Sequence, residues 1–173
     1  MDIHSYQRSF KLKNGIAITL RAIRPDDRER LRTAFGHLDP ATIYKRFFGA
    51  KRELSEAELT AATAVDFHVV VALVAVLDSN PETIIGGGRY VRSPGPNSPN
   101  AEVAFTVEED YQGLGLASLI LRELSAIAKA AGVSRFSAEV LPANTAMLRV
   151  FRNSGLALSS RTEDGLVHVT LEL

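Results

Sequence analysis

The chain has 173 residues, 46% of them hydrophobic, which is enough for one sizeable core and argues against disorder. Lys and Arg total 20 and Asp and Glu total 20, so the formal net charge is zero and no overall basic field draws nucleic acid. Cysteine is absent, which excludes disulfides, thiolate metal sites and a cysteine acyl-enzyme.

The N-terminal stretch Met1–Arg8 has no apolar signal core, and no run of about 18 uncharged apolar residues follows it. The expectation is a soluble, cytoplasmic chain forming one domain over 1–173. Ile16 to Leu20 is β-branched and apolar and reads as a strand, and Arg24-Pro25-Asp26-Asp27 then reads as a helix start, with Pro at a first helical position and early acids. Leu31, Ala34, Phe35 and Leu38 keep helical spacing. Asp39-Pro40 starts a second helix, and Ser55-x-x-Glu58 is a capping box for a third.

Phe67 to Leu77 and Thr83 to Val91 read as strands joined in a hairpin at Asp78-Ser79-Asn80-Pro81. Gly86-Gly87-Gly88 lies inside the second of these with no helix after it, so it reads as a bulge or a close backbone approach and takes no ligand. Ser93 to Asn100 is too rich in Pro and Gly to continue a ladder and reads as a mobile loop. Ala101 to Val107 is the next strand, followed by a long amphipathic helix from Leu114 to Ala131 that Gly132 stops. Phe136 to Val140 is a strand and Asn144 to Asn153 a short helix. A closing hairpin pairs Gly155–Ser160 with Val167–Leu171 around Asp164-Gly165. The fold class is α+β, without internal repeats.

Where the strand ending at Val107 turns through Gly113 and Gly115 into the long helix, unpaired N–H groups and the positive end of the helix dipole make an anion cradle. A glycine turn alone is equally an ordinary strand-to-helix connection. The chain has neither the Lys-Ser/Thr of a P-loop nor the three spaced glycines of a dinucleotide fold. His4, His37, His68 and His168 lack metal-ligand spacing, so no metal is expected, and no Gly-x-Ser-x-Gly elbow is present. On the strand from Ala101 to Val107, Glu102 shares a face with Ala104 and Thr106 by period-two alternation. A carboxylate desolvated there would suit removal of an ammonium proton, although a solvated or arginine-paired glutamate is the plainer reading. Glu108, Glu109 and Asp110 read as acids favoured before a helix start.

Gln112-x-x-Gly115-x-Ala117 resembles the pyrophosphate-binding motif of the GNAT acyltransferase superfamily. Asn144-x-x-Met147-Leu148-Arg149-x-Phe151 with Gly155 resembles that superfamily's later helix, and Ala101-Glu102-Val103-Ala104-Phe105 its strand bearing the general-base glutamate. The resemblance covers nearly the whole chain. It implies a GNAT fold, a mixed sheet of about six to seven strands flanked by helices, whose central strands splay to form an acyl-CoA cleft. It implies acetyl-CoA as co-substrate, with the backbone of Phe105, Thr106 and Val107 along the pantetheine arm and the Val107 N–H on the thioester carbonyl. Gln112, Gly113, Leu114, Gly115, Leu116, Ala117 and Ser118 would wrap the pyrophosphate, Asn144 would bond the arm near the thiol, and Glu102 would be the catalytic base.

One departure stands out: many members carry a tyrosine seven residues after this asparagine as general acid, and this chain has Phe151. Ile23-Arg-Pro-Asp26, Tyr44-Lys45-Arg46-Phe47-Phe48 and Leu54-Ser-Glu-Ala-Glu58-Leu59 further resemble the acyltransferase domain of bacterial protein-lysine acetyltransferases, which act on acyl-CoA synthetases. That domain is often joined to a sensing module, for which 173 residues leave no room. The expected function is acetyl-CoA-dependent N-acetylation of a primary amine, a protein lysine in preference, by direct attack in a ternary complex. A small-molecule amine acceptor and a non-catalytic acyl-CoA-binding sensor are the alternatives, and neither nucleic acid nor membrane is an expected partner.

Overall fold

Strand alternation and helix amphipathicity build an α+β architecture in the computed structural model, which describes residues 2–173. The strands are β1 (Gln7–Lys11), β2 (Ala17–Ala22), β3 (Val70–Leu77), β4 (Asn80–Arg92), β5 (Asn100–Val107), β6 (Arg135–Val140), β7 (Ala157–Glu163) and β8 (Leu166–Glu172). The helices are α1 (Arg28–Gly36), α2 (Pro40–Phe47), α3 (Glu56–Thr63), α4 (Leu116–Ala130) and α5 (Thr145–Arg152). One eight-stranded sheet has the order β1-β2-β3-β4-β5-β6-β8-β7, antiparallel throughout except between β5 and β6. The expected six to seven strands omit β1, an edge strand in which no side chain is fully buried and no apolar alternation marks the sequence.

Two apolar layers sandwich the sheet. Ile18, Leu20, Val71, Leu73, Val103, Phe105 and Val107 face α4. Ile23, Ala72, Val74, Val76 and Ile84 face Leu31 and Ala34 of α1. β3 is therefore buried on both faces, which explains its unbroken apolar run. No helix is long and apolar enough to cross a membrane among the described residues.

Local chemistry sets the helix boundaries. The Ser55 hydroxyl accepts from the Glu58 N–H at 3.1 Å while Glu58 accepts from the Ser55 N–H at 3.2 Å, so the capping box forms. Asp27 is fully buried and bonds the Arg21 guanidinium twice at 2.8 Å, clamping the start of α1 to β2. On the opposite face of the sheet, Glu123 of α4 accepts from the Tyr6 hydroxyl at 2.6 Å and from Arg8 at 2.9 Å, holding α4 against the N-terminal segment.

Of the two expectations for the triple glycine in β4, the close approach is met at the glycines, whereas the bulge lies just before them. The β3–β4 register shifts between Ala75 and Leu77, opposite the stretch from Asn80 to Gly86. A Cβ on Gly88 would stand 2.6 Å from Ile120 of α4, and one on Gly87 would stand 2.8 Å from the Leu73 carbonyl oxygen.

Candidate active site

β5 and β6 pair at only three positions, Asn100–Arg135, Ala101–Phe136 and Glu102–Ser137. Beyond these β5 stays with β4 as far as Val107, while β6 stays with β8 as far as Val140, so the two strands diverge. The slot between them is lined by Val103, Ala104 and Phe105, by Ala138 to Val140, by Asn144, Met147 and Phe151 of the α5 segment, and by Lys45 and Arg46 of α2.

The ladder register decides which backbone groups face the slot. The Glu108 N–H donates to the Ile85 carbonyl at 2.9 Å, which makes the neighbouring Val107–Gly86 pair a non-hydrogen-bonded one. The N–H and carbonyl of Val107 therefore turn away from β4 toward the opening, and alternation gives Phe105 and Val103 the same orientation. Thr106 differs from the expectation that its backbone faces the cleft: its carbonyl oxygen lies 3.0 Å from the Cβ position of Gly86, on the β4 side. The Thr106 side chain instead faces a cavity on the other face of the sheet.

At the start of α4 the loop takes positive φ at Gly113 (75°) and Gly115 (88°), and the space around the missing Cβ of Gly113 is open. Leu114, Leu116, Ala117 and Ser118 complete the turn, with Leu116 buried as the first helical residue. The Gln112 side chain folds back, its amide donating to the Val107 carbonyl at 2.9 Å and to the Thr42 hydroxyl at 3.3 Å. It braces the loop against β5 and α2. A helix N-terminus with exposed N–H groups beside this slot fits a diphosphate, and the slot fits the extended amide chain attached to it.

Asn144 caps α5 by accepting from the Met147 N–H at 3.3 Å, and its amide NH2 has no hydrogen-bond partner among the described residues. Phe151 is 1% exposed and packs 6.0 Å from the Phe105 ring, so the deep end of the slot offers no phenol. Its ionisable neighbours are Lys45, Arg46 and Glu139.

Across the sheet, α1, α2 and α3 roof an apolar cavity of about 310 Å³ whose floor includes Gly87, Ala104 and Thr106. Glu102 stands on the same strand face as Ala104 and Thr106 but is exposed, so the expected desolvation does not occur. It makes no side-chain hydrogen bond or ion pair among the described residues.

Besides Glu58, which caps α3 and pairs with Lys51, three charged residues line this cavity that the sequence does not mark as functional. Glu108 is half-buried, and burial pushes its carboxyl above the usual carboxylate range although the Asp110 N–H opposes this. Arg46 and Arg89 are the others. The apolar loss of solvent around Glu108 had no signature in a run of three acids, which reads as helix capping, and Glu108 does cap the turn at Glu109–Tyr111.

The family model described as "Acetyltransferase (GNAT) domain" matches residues 17–157. An acetyltransferase of Pseudomonas aeruginosa is 34% identical over 137 residues, covering 79% of this chain and 73% of its own length. Acetyltransferase Pat of Mycolicibacterium smegmatis is 32% identical over 165 residues, covering 94% of this chain, which spans 48% of that relative's length. The crystal structure of the GNAT domain of S. lividans PAT superposes with a TM-score of 0.88 at 34% identity, covering 96% of this chain and 97% of that one. With the diverging strands, the glycine turn and these matches together, the chain belongs to the GNAT family of acetyltransferases and is an acyltransferase enzyme.

Proposed function

We propose that this domain transfers an acetyl group from acetyl-CoA to a primary amine, with a protein lysine as the preferred acceptor and Glu102 as the base. The observation that carries the reading is the divergence of β5 from β6 after three residue pairs, directly beside the glycine-bounded start of α4. Acetyl-CoA brings an activated thioester, and the protein's part is to hold it and manage the protons.

The α4 N-terminus and the loop from Gln112 hold the diphosphate, and the Phe105 and Val107 backbone groups bond the pantetheine amides as an adjoining strand would. The Val107 N–H polarises the thioester carbonyl. The Asn144 NH2, without a partner among the described residues, bonds the arm near the sulfur. Glu102 takes the ammonium proton directly or through water, an exchange its exposure favours. Phe151 cannot return a proton to the departing thiolate, and water supplies it, since a thiol of pKa near 8.5 leaves readily.

The test is release of CoA thiol, measured against acyl-CoA synthetases, lysine peptides and small amines; the protein contributes no thiol background. Glu102→Gln should lower turnover by roughly a hundredfold or more while cofactor affinity holds. Full activity in that variant would remove Glu102 from its role, and Glu108→Gln then examines the other carboxylate. Tight acetyl-CoA binding without release for any acceptor would defeat the catalytic reading.

A further inference from the structure

The arginines divide into two groups. Every other half-buried or buried arginine is anchored: Arg21 on Asp27, Arg28 on Glu56, Arg30 on Asp27 and Glu82, Arg32 on Glu29 and Glu56, and Arg92 on the carbonyls of His68, Ser98 and Ala131. Arg46 and Arg89 are also half-buried, yet neither makes an ion pair or a side-chain hydrogen bond among the described residues. Both line the apolar cavity, and Arg46 also lines the slot between β5 and β6, so it stands where the two meet. Arg89 sits opposite Ala104 in the ladder, on the face that Glu102 shares one step away. The Arg46 guanidinium lies 5.0 Å from the Phe47 ring centroid, a cation–π contact that uses none of its N–H donors in a hydrogen bond. Loss of solvent lowers the pKa of Arg46, Arg89 lowers it further by repulsion, and Glu102 attracts it.

Two like charges partly withdrawn from water are unfavourable unless a ligand offsets them. We propose that Arg46 and Arg89 form a subsite for a carboxylate presented beside the reacting acyl group and amine, an assignment that rests on the acetyltransferase reading of the same cleft. The acids Glu58 and Glu108 also line the cavity, but Glu58 is paired with Lys51 and neither makes an ion pair with Arg46 or Arg89, so among the described residues both guanidiniums lack an anionic partner. The planar N–H edges match a carboxylate in two-point fashion, and the apolar walls strengthen the attraction. The carboxylate is carried either by the acyl chain or by the acceptor, as an acidic side chain next to the target lysine.

The probe for binding is phenylacetate, titrated calorimetrically into the full chain without cofactor, with phenethyl alcohol as its neutral counterpart. Phenylacetate should bind saturably, and Arg46→Met or Arg89→Met should weaken it about tenfold or more, with Arg89→Lys between the variant and the parent. Circular dichroism and melting verify that the variants are folded. Equal binding of both probes, or phenylacetate binding untouched by either substitution, overturns the subsite. Turnover then identifies the source: preference for succinyl-CoA over acetyl-CoA with a neutral amine places the carboxylate on the acyl group, whereas faster acetylation of lysine peptides flanked by Glu than by Gln places it on the acceptor. The preference should fall about tenfold in Arg89→Met, and no preference in either arm overturns the proposal. Absence of transfer to any acceptor, with phenylacetate still bound through the arginines, would refute the acetyltransferase reading and leave the subsite standing.

Discussion

The triple glycine of β4 lends itself to a graded stability test. A methyl on Gly88 would lie 2.6 Å from Ile120 Cγ2 and 2.7 Å from Phe105 Cδ1, where carbon atoms normally approach no closer than about 3.5 Å. Ile120 is fully buried, so relief requires shifting a packed helix or strand by most of an ångström. Overpacking of this kind costs about 1–3 kcal/mol. For Gly87→Ala the obstacle is the Leu73 carbonyl oxygen at 2.8 Å, backbone of a central strand, so its cost should fall at the upper end of that range or beyond. Gly36, at the end of α1 with nothing near its Cβ position, is the control, and Gly36→Ala should gain about 0.4–1 kcal/mol. Urea unfolding with slopes compared across the set gives the energies, and about 1 kcal/mol should move the melting temperature by about 2–4 °C. A Gly88→Ala protein within about 0.5 kcal/mol of the parent, at unchanged slope, would refute the claim that β4 lacks side chains to admit α4.

The Asp27 carboxyl gives a pH-dependent prediction. Burial pushes its pKa up, but bonds from Arg21, the Arg24 N–H and Arg30 together hold it below the ordinary carboxylate value. Its stabilising share is therefore complete above pH ~4 and is lost as pH falls through the depressed native value. Asp27→Asn should cost about 3–5 kcal/mol at pH 7 by leaving Arg21 buried without its partner, and the gap should shrink on acidification toward pH 3; a gap independent of pH would contradict the linkage. At Asn144 two roles separate: Asn144→Ala should lose about 1 kcal/mol of cap energy and weaken acetyl-CoA binding, whereas Asn144→Asp keeps the cap and should weaken binding alone. Equal cofactor affinity in all three proteins, by calorimetry, would remove Asn144 from the site.

Features set by near neighbours could be read along the chain. The Ser55–Glu58 box, the Asn144 cap and the Asp164-Gly165 turn, with φ of 53° and 75°, each depend on residues within a few positions. β1 escaped because its partner β2 covers one backbone edge while its side chains stay largely in water, leaving no alternation to detect. The outward Val107 N–H and the inward Thr106 carbonyl depend on which residue of β4 pairs with which of β5, a property of register that composition does not carry. Arg46 and Arg89 meet only because α2 crosses over β5, and neither position alone differs from an ordinary surface arginine.

The three residue pairs between β5 and β6 also have a mechanical meaning. They act as a narrow seam between two plates, one formed by β1 through β5 and the other by β6, β8 and β7. Few backbone bonds resist opening along that line, so amide protons at Ala101 and Ser137, which face the seam, should exchange sooner than those in the middle of β3. A chain of amides laid into the gap would rivet the plates together, so occupancy would raise the protein's resistance to unfolding by mass action. Such a joint couples rigidity to cofactor supply without any moving lid.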